Sequence, residues 1–333
     1  MVPVGAPDVC YVGHGSCVAF ITLRAVARIF VTRALPGAAL ARLTTAGHEL
    51  DIWPGRTPPP PDRLLAHARE ADALLTLITD PVTAELLDAC PNLRAVANYG
   101  VGVDNIDVAA CAARGVAVGN TPGVLTAATA DLALALILAA ARHLSDAAAA
   151  VRDGDWPTWE PQAHLGLELE GAVLGIIGLG RIGRAVAQRA AGFGMEVIHS
   201  GREDGVPLAE LFARADVVSI HCPLTPQTHH LIDGAALAAM KPTAILVNTA
   251  RGPIVDQAAL REALIAGTIA AAALDVTEPE PLPPDDPLLD APNLIVLPHI
   301  GSATVRARER MADLAVANLE AALAGRPMPN PVG

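Results

Sequence analysis

The stretch Val173-Leu-Gly-Ile-Ile177-Gly178-Leu179-Gly180-Arg181-Ile182-Gly183, followed by Met195-Glu-Val-Ile-His-Ser-Gly201-Arg202, decides the fold. Val173, Leu174, Ile176 and Ile177 form a short apolar run rich in β-branched residues, the pattern of a strand buried in a parallel sheet. Gly178, Gly180 and Gly183 follow at G-x-G-x-x-G spacing. Arg181 to Ala191 has the pattern of the helix they open, and Met195 to His199 that of the next strand. In that setting Gly178 allows a tight turn, Gly180 lets a pyrophosphate approach the backbone, and Gly183 lets helix pack on strand. The pyrophosphate would rest on the helix N-terminus, where free N–H groups and the dipole favour anions. A bare G-x-G-x-x-G also serves merely structural turns. The strand before it, the helix behind it and a second strand at the right distance favour dinucleotide binding.

Bulk properties bound the remaining choices. A chain of 333 residues can hold two domains, each with its own core. It is 52% hydrophobic and only 3% aromatic, so the cores are aliphatic. A formal net charge of −12 argues against an electrostatic nucleic-acid binder, which needs a basic face. The longest apolar run, Leu132 to Ala141, is about half a membrane span, and charged residues bound it. Cys10, Cys17, Cys90, Cys111 and Cys222 form no C-x-x-C pair. An odd, scattered set fits buried thiols in a reducing, cytoplasmic setting better than a disulfide framework or a zinc site. Cys17 to Leu23 is apolar but lacks a basic flank, so residues 1–24 read as a poorly ordered extension rather than a signal peptide.

From Ala27 short apolar strands alternate with helices, the signature of a parallel α/β sheet. Strands are expected at Arg28–Thr32, His48–Ile52, Ala73–Ile78, Leu93–Asn98 and Val116–Val118, with helices between. A long apolar helix is expected from Thr126 to about His143, then a loop near Gly154–Pro161 carrying Trp156 and Trp159. These tryptophans read as packing or interface residues. The glycine-rich unit opens a second series, with further strands at Val217–His221, Ala244–Val247, Ala270–Leu274 and Leu294–Leu297. After Gly301 a last helix runs to about Ala324. A ligand site is expected at the strand C-termini, in the cleft between two such lobes.

Three segments follow strands of the second lobe: Val247-Asn-Thr249-Ala250-Arg251-Gly252, Leu274-Asp275-Val-Thr-Glu-Pro-Glu280-Pro281, and Leu297-Pro-His299-Ile-Gly301-Ser302. Hydride transfer to a 2-oxo acid needs a cation for the carboxylate, a proton donor near neutrality and a group that tunes the donor. Arg251 suits the first, because a guanidinium fork matches a carboxylate bidentately. His299 suits the second. Glu280 suits the third, since a nearby carboxylate favours imidazolium. Taken singly, Arg251 could cap or pair at the surface, Glu280 could be solvated in its Pro-rich loop, and His299 could be structural. Their shared placement after strands of one dinucleotide-binding lobe sets them apart.

Taken with Asn98-Tyr-Gly-Val-Gly-Val-Asp-Asn-Ile-Asp107, Asn120-Thr-Pro-Gly-Val-Leu-Thr-Ala-Ala-Thr-Ala-Asp131, Glu278-Pro-Glu-Pro281 and Pro298-His-Ile-Gly-Ser302, these motifs resemble the D-isomer-specific 2-hydroxyacid dehydrogenases. The glyoxylate/hydroxypyruvate reductase branch is the most similar. The resemblance runs from Ala27 onward. It implies two Rossmann-like parallel-sheet domains of α/β class, the substrate domain discontinuous (25–121 with 299–333) and the dinucleotide-binding domain at 122–298. It places Arg251, Glu280 and His299 in the catalytic roles, and the backbone of Val101-Gly102 on the substrate carboxylate. Asp275 corresponds to the aspartate that meets the nicotinamide amide, and Thr249, Ala250, Cys222 and Gly301 to positions beside the cofactor. It further implies a homodimer through the cofactor domain, while charge, the short apolar run and the scattered cysteines lead to the expectation of no nucleic-acid partner, no membrane and no metal. The Trp156–Trp159 loop is a candidate to reach a neighbouring active site. A 2-ketogluconate reductase, a D-lactate-type dehydrogenase and a nucleotide-sensing corepressor are the alternatives.

One departure concerns the cofactor. A nicotinamide dinucleotide without a 2′-phosphate usually meets an Asp or Glu about 20 residues past the glycines. Here Gly201 and Arg202 stand there, in a segment shorter than the family usually has. Losing the anion and gaining a cation predicts preference for NADP(H), with NAD(H) possible.

Overall fold

The computed structural model describes residues 26–333 apart from Glu203. The extension expected at residues 1–24, with Cys10 and Cys17, lies outside the described residues.

Strands assemble into two sheets, each parallel throughout. The first contains β1 (Arg28–Val31), β2 (Glu49–Ile52), β3 (Ala73–Leu77), β4 (Ala95–Tyr99) and β5 (Ala117–Gly119), in the order β2-β1-β3-β4-β5. The second contains β6 (Val173–Ile177), β7 (Glu196–Ser200), β8 (Val217–Ile220), β9 (Ile245–Asn248), β10 (Ala271–Leu274) and β11 (Leu294–Val296), in the order β11-β10-β9-β8-β6-β7. This is the α/β architecture of two Rossmann-like sheets that the alternating pattern predicts. In each sheet the winding reverses beside the first strand, at β1/β3 and at β6/β8. Such switch points open a crevice at the strand C-termini.

The helix Val305–Leu323 crosses back to cover the first sheet. Its Met311, Val316 and Leu319 share a core with Ile29, Val31, Leu75 and Tyr99. Thr304 begins this helix by accepting the Ala307 N–H at 3.1 Å, a side-chain cap for an otherwise unpaired donor. The following tail pairs with the β5 edge: Val332 N–H donates to Val118 O at 2.9 Å. Fully buried Asn318 stitches the two together, donating to Asn120 O (2.9 Å) and accepting from Asn330 N–H (3.0 Å). On the second sheet, the helix Thr126–Ala141 lays Ala130, Ala133 and Ile137 against Val247, Ala273 and Val186. The small alanines let backbones approach closely.

The helix expected from Thr126 to about His143 is present, and a second helix that the sequence reading did not expect follows it. The first helix stops at Ala141, His143 adopts φ 49°, and a second helix, Leu144–Asp153, follows. That second helix has no buried residue, and its apolar positions Leu144, Ala147, Ala148 and Val151, at helical spacing, do not enter the core. Trp156 and Trp159 are 66% and 80% exposed, so they are not packing residues within the chain. Among the described residues no single helix is long and apolar enough to cross a membrane.

Candidate active site

A cleft of about 470 Å³ opens between the carboxyl ends of the two sheets. Val101, Gly102 and Asp104 face it from the first lobe. Gly180, Arg181, Ile182, Cys222, Thr249, Ala250, Arg251 and Asp275 face it from the second, and His299 and Gly301 from the segment that leads back to the first.

The glycine turn is wedged between strand ends. Gly178 has φ 94°, and a Cβ on it would lie 2.6 Å from the Cys222 nitrogen. Its N–H donates to Ser200 O at 2.9 Å, tying the turn to the end of β7. A Cβ on Gly183 would lie 2.3 Å from Gly178 O, so only glycine lets the helix sit this close. Gly180 differs: nothing approaches within 4 Å of its Cβ position. Its bare backbone therefore opens on free space at the start of the helix Arg181–Ala191, which fits a dinucleotide pyrophosphate. Gly178, Leu179 and Gly183 stand behind that surface.

His299 is held from three directions. It takes φ 53°, and its N–H donates to Asp275 O at 2.9 Å. The buried Asp275 carboxylate accepts the Ile300 and Gly301 N–H groups, both at 2.7 Å, and so clamps the turn that presents the imidazole. Burial pushes the Asp275 pKa up, against the pull of those two amides. On the ring itself, Nδ1 stands 2.8 Å from Glu280 Oε2, while Glu280 Oε1 accepts the Thr277 N–H at 3.0 Å. Burial alone would raise the Glu280 pKa. The hydrogen bond to His299, the His299 charge, the Thr277 amide and Arg251 outweigh it and hold the carboxyl below its ordinary value. An anionic Glu280 requires Nδ1 to be the donor, which leaves Nε2 for the cleft.

Arg251 follows β9 in a loop pinned by Asn248, whose Nδ2 donates to Arg251 O at 2.8 Å. Its guanidinium spans the cleft. Nε donates to Asp104 Oδ2 at 2.7 Å, and Nη1 donates to Ala250 O at 2.7 Å. Nη2 lies directly over Gly102, where an added Cβ would come within 1.6 Å of it. The Gly102 carbonyl is tied back by buried Asn98 (2.7 Å) and the Val101 carbonyl by Asn120 (2.6 Å). A rigid loop and a fixed cation thus face each other, a pairing suited to a carboxylate.

Two residues without a part in the sequence reading belong to the site. Asp104 is the partner of Arg251 from the opposite lobe. His221 is half-buried in the wall of the cleft, with Nε2 2.9 Å from Ser219 Oγ and Nδ1 3.4 Å from Thr249 Oγ1. Burial pushes its pKa down to about 4, so it is neutral at physiological pH. Cys222 beside it has a thiol pushed up to about 11 by burial. Gly201 and Arg202 are exposed just past the end of β7 and are not among the residues that line this cleft.

The profile of the D-isomer specific 2-hydroxyacid dehydrogenase NAD binding domain matches residues 134–301. A glyoxylate reductase from Korarchaeum cryptofilum is 48% identical over 315 residues, 91% of this chain and 95% of its own. A crystal structure from Thermus thermophilus superposes with a TM-score of 0.88 at 50% identity, covering 92% of this chain and 100% of its own. An NADPH-dependent glyoxylate/hydroxypyruvate reductase from Sinorhizobium meliloti, solved with NADP and malonate, gives 0.79 at 36% identity, covering 92% and 96%.

Proposed function

We propose that this chain, which belongs to the D-isomer specific 2-hydroxyacid dehydrogenases and is an oxidoreductase of that class, uses NADPH to reduce glyoxylate and hydroxypyruvate to glycolate and D-glycerate. The observation that carries the reading is the His299–Glu280 couple facing the same cleft as Arg251 and the open backbone of Gly180. Arg251 and the amide side of Val101-Gly102 hold the substrate carboxylate, with the keto group turned toward His299. The nicotinamide, when bound, supplies the hydride. His299 delivers a proton from Nε2 to the nascent alkoxide, while Glu280 fixes the ring and balances its charge. Asp275 holds the turn that carries both His299 and Gly301, so the proton donor and the cofactor face move as one unit. Thr249, Ala250 and Cys222 form the wall on which the cofactor rests.

Two features support NADPH. Gly201 offers no carboxylate to repel a 2′-phosphate, and Arg202 supplies a cation next to it. The Sinorhizobium meliloti relative is itself described as NADPH-dependent. The division of labour is a substrate lobe of residues 25–121 and 299–333 against a cofactor lobe of 122–298, working in the cytoplasm. The unburied helix Leu144–Asp153, with Leu144 and Val151 exposed beside Trp156 and Trp159, supports a homodimer through the cofactor lobe. It also supports the Trp156–Trp159 loop as a segment that reaches the neighbouring site.

The deciding experiment is a panel of 2-oxo acids with both reduced cofactors, followed by loss of nicotinamide absorbance. Turnover of glyoxylate with a kcat/KM higher for NADPH than for NADH is expected. A ratio below one overturns the NADPH assignment. Tight cofactor binding with no turnover of any acid would favour a nucleotide-sensing corepressor instead. Preferential turnover of 2-ketogluconate or pyruvate would move the substrate within the same class.

A further inference from the structure

The short segment after β7 does more than omit an acid. Gly201 N–H donates to Asp204 O at 2.9 Å, and Val206 N–H returns to His199 O at 2.8 Å, so the chain folds back on the end of β7 between these described residues. Ser200 and Gly205 form an antiparallel bridge across it. Gly205 makes this possible: its φ is 98°, and a Cβ there would lie 2.2 Å from His199 O. The turn folds Asp204 back over Gly201. Asp204 Oδ1 lies 2.8 Å from where a Gly201 Cβ would be, and Asp204 Oδ2 lies 3.5 Å from His199 Nε2. A carboxylate therefore occupies the space that a side chain at position 201 would enter, although the sequence places it three residues later. The same strand end receives the Gly178 N–H at Ser200 O, so Asp204 follows the end of the strand on which the glycine turn rests, and in this architecture an acid at that strand end meets the adenosine ribose.

We propose that Asp204 is the acidic group that accepts hydrogen bonds from the adenosine ribose hydroxyls, and that it opposes Arg202 in setting cofactor choice. This rests on the dinucleotide reading above and deepens it. Arg202 attracts a 2′-phosphate, Asp204 holds a free 2′-hydroxyl and repels the phosphate, and the chain binds NADH as well as NADPH. The compact turn makes the opposition possible, since both side chains project from the same four residues.

The test measures binding rather than turnover. Dissociation constants for NADH and NADPH are determined by nucleotide fluorescence on wild-type protein and on Asp204→Asn, Asp204→Glu and Arg202→Ala. Replacing a charged acceptor by a neutral one is expected to weaken NADH on the order of tenfold in Asp204→Asn and to leave NADPH equal or tighter. Asp204→Glu should retain part of the NADH affinity. A change in NADH affinity of less than about twofold in Asp204→Asn overturns the proposal, and so does equal weakening of both cofactors, which would mark a purely structural turn. Arg202→Ala separates the two readings. If it leaves NADPH binding intact, the assignment of Arg202 to the 2′-phosphate fails, while the Asp204 result stands on its own NADH measurement.

Discussion

Gly102→Ala is a one-carbon change whose effect can be worked from the structure. The new Cβ would sit 1.6 Å from Arg251 Nη2, 2.7 Å from its Cζ and 2.9 Å from Asp104 Oδ2. Neither the loop nor the cation can give way freely. The Gly102 carbonyl is tied to Asn98, and Arg251 is held through Nε and Nη1. The guanidinium must swing off the loop. Gly102 does not have the positive φ that would make alanine strained, and it is only half-buried, so the fold should lose no more than about 0.5 kcal/mol. The substrate, in contrast, loses charged hydrogen bonds that contribute about 1.5–3 kcal/mol. That corresponds to a fall in kcat/KM for glyoxylate of about ten- to hundredfold. Because the carboxylate is gripped in both ground and transition states, KM should carry most of the change. The assay is steady-state kinetics at saturating NADPH, with thermal unfolding and cofactor affinity as controls. A kcat/KM within about threefold of wild type, with folding intact, would refute the idea that Arg251 acts from above Gly102.

Other substitutions test the remaining parts. His299→Gln should lower kcat by about a hundred- to ten-thousandfold, the usual contribution of a positioned acid, with cofactor dissociation constants by fluorescence titration almost unchanged. Loss of cofactor binding in that variant would mean that its role is misassigned. Neutral, half-buried His221 predicts a pH effect on stability. Its folded pKa of about 4 lies below the unfolded value near 6.5, so the unfolded state takes up the extra proton between them, and the contribution is full above pH 6.5 and lost as pH falls toward 4. Urea unfolding at pH 7 and pH 4.5 should show this fall, of order 3 kcal/mol in full, and His221→Asn should flatten it. An equal pH slope in the variant would refute the assignment. Cys222, with its thiol pushed to about 11, is about one part in a thousand thiolate at pH 8 and should resist iodoacetamide, read by mass spectrometry of its peptide. Rapid labelling at pH 8 would show that the thiol is more accessible than its burial implies.

The strands were legible because each is a short aliphatic run between turn residues, and two series of such runs admit few architectures. The catalytic candidates were legible for a related reason. Arg251, Glu280 and His299 each follow such a run, and strand ends of one parallel sheet converge on one edge. What stayed hidden depended on contacts that no local pattern encodes. Asp104 lies 147 positions from Arg251 and pairs with it only because two lobes meet. The helix Leu144–Asp153 does carry a short apolar stripe of Leu144, Ala147, Ala148 and Val151, but it is brief and rich in alanine and follows directly on the longer helix, so it did not stand out as an element of its own. Gly201 read as the loss of an acid, whereas backbone geometry at Gly205 returns Asp204 to that place. His221 was visible only as the end of a strand; its neutrality follows from burial against Ser219 and Thr249.

The way the first sheet is covered also has a consequence for biosynthesis. Strands β1–β5 emerge early, but Met311, Val316 and Leu319 and the pairing at Val332 come from beyond the whole second lobe. The second lobe, continuous in the chain, can close its own core as it leaves the ribosome. The first waits for the last helix, an interval on the order of ten to forty seconds at ordinary rates of synthesis. During that time the apolar face of its sheet, with Ile29, Val31 and Leu75, has only the short helix Ala39–Thr45, through Ala39 and Leu43, for cover. The nascent chain is thus most open to misassociation late in its synthesis, when the cofactor lobe is already folded.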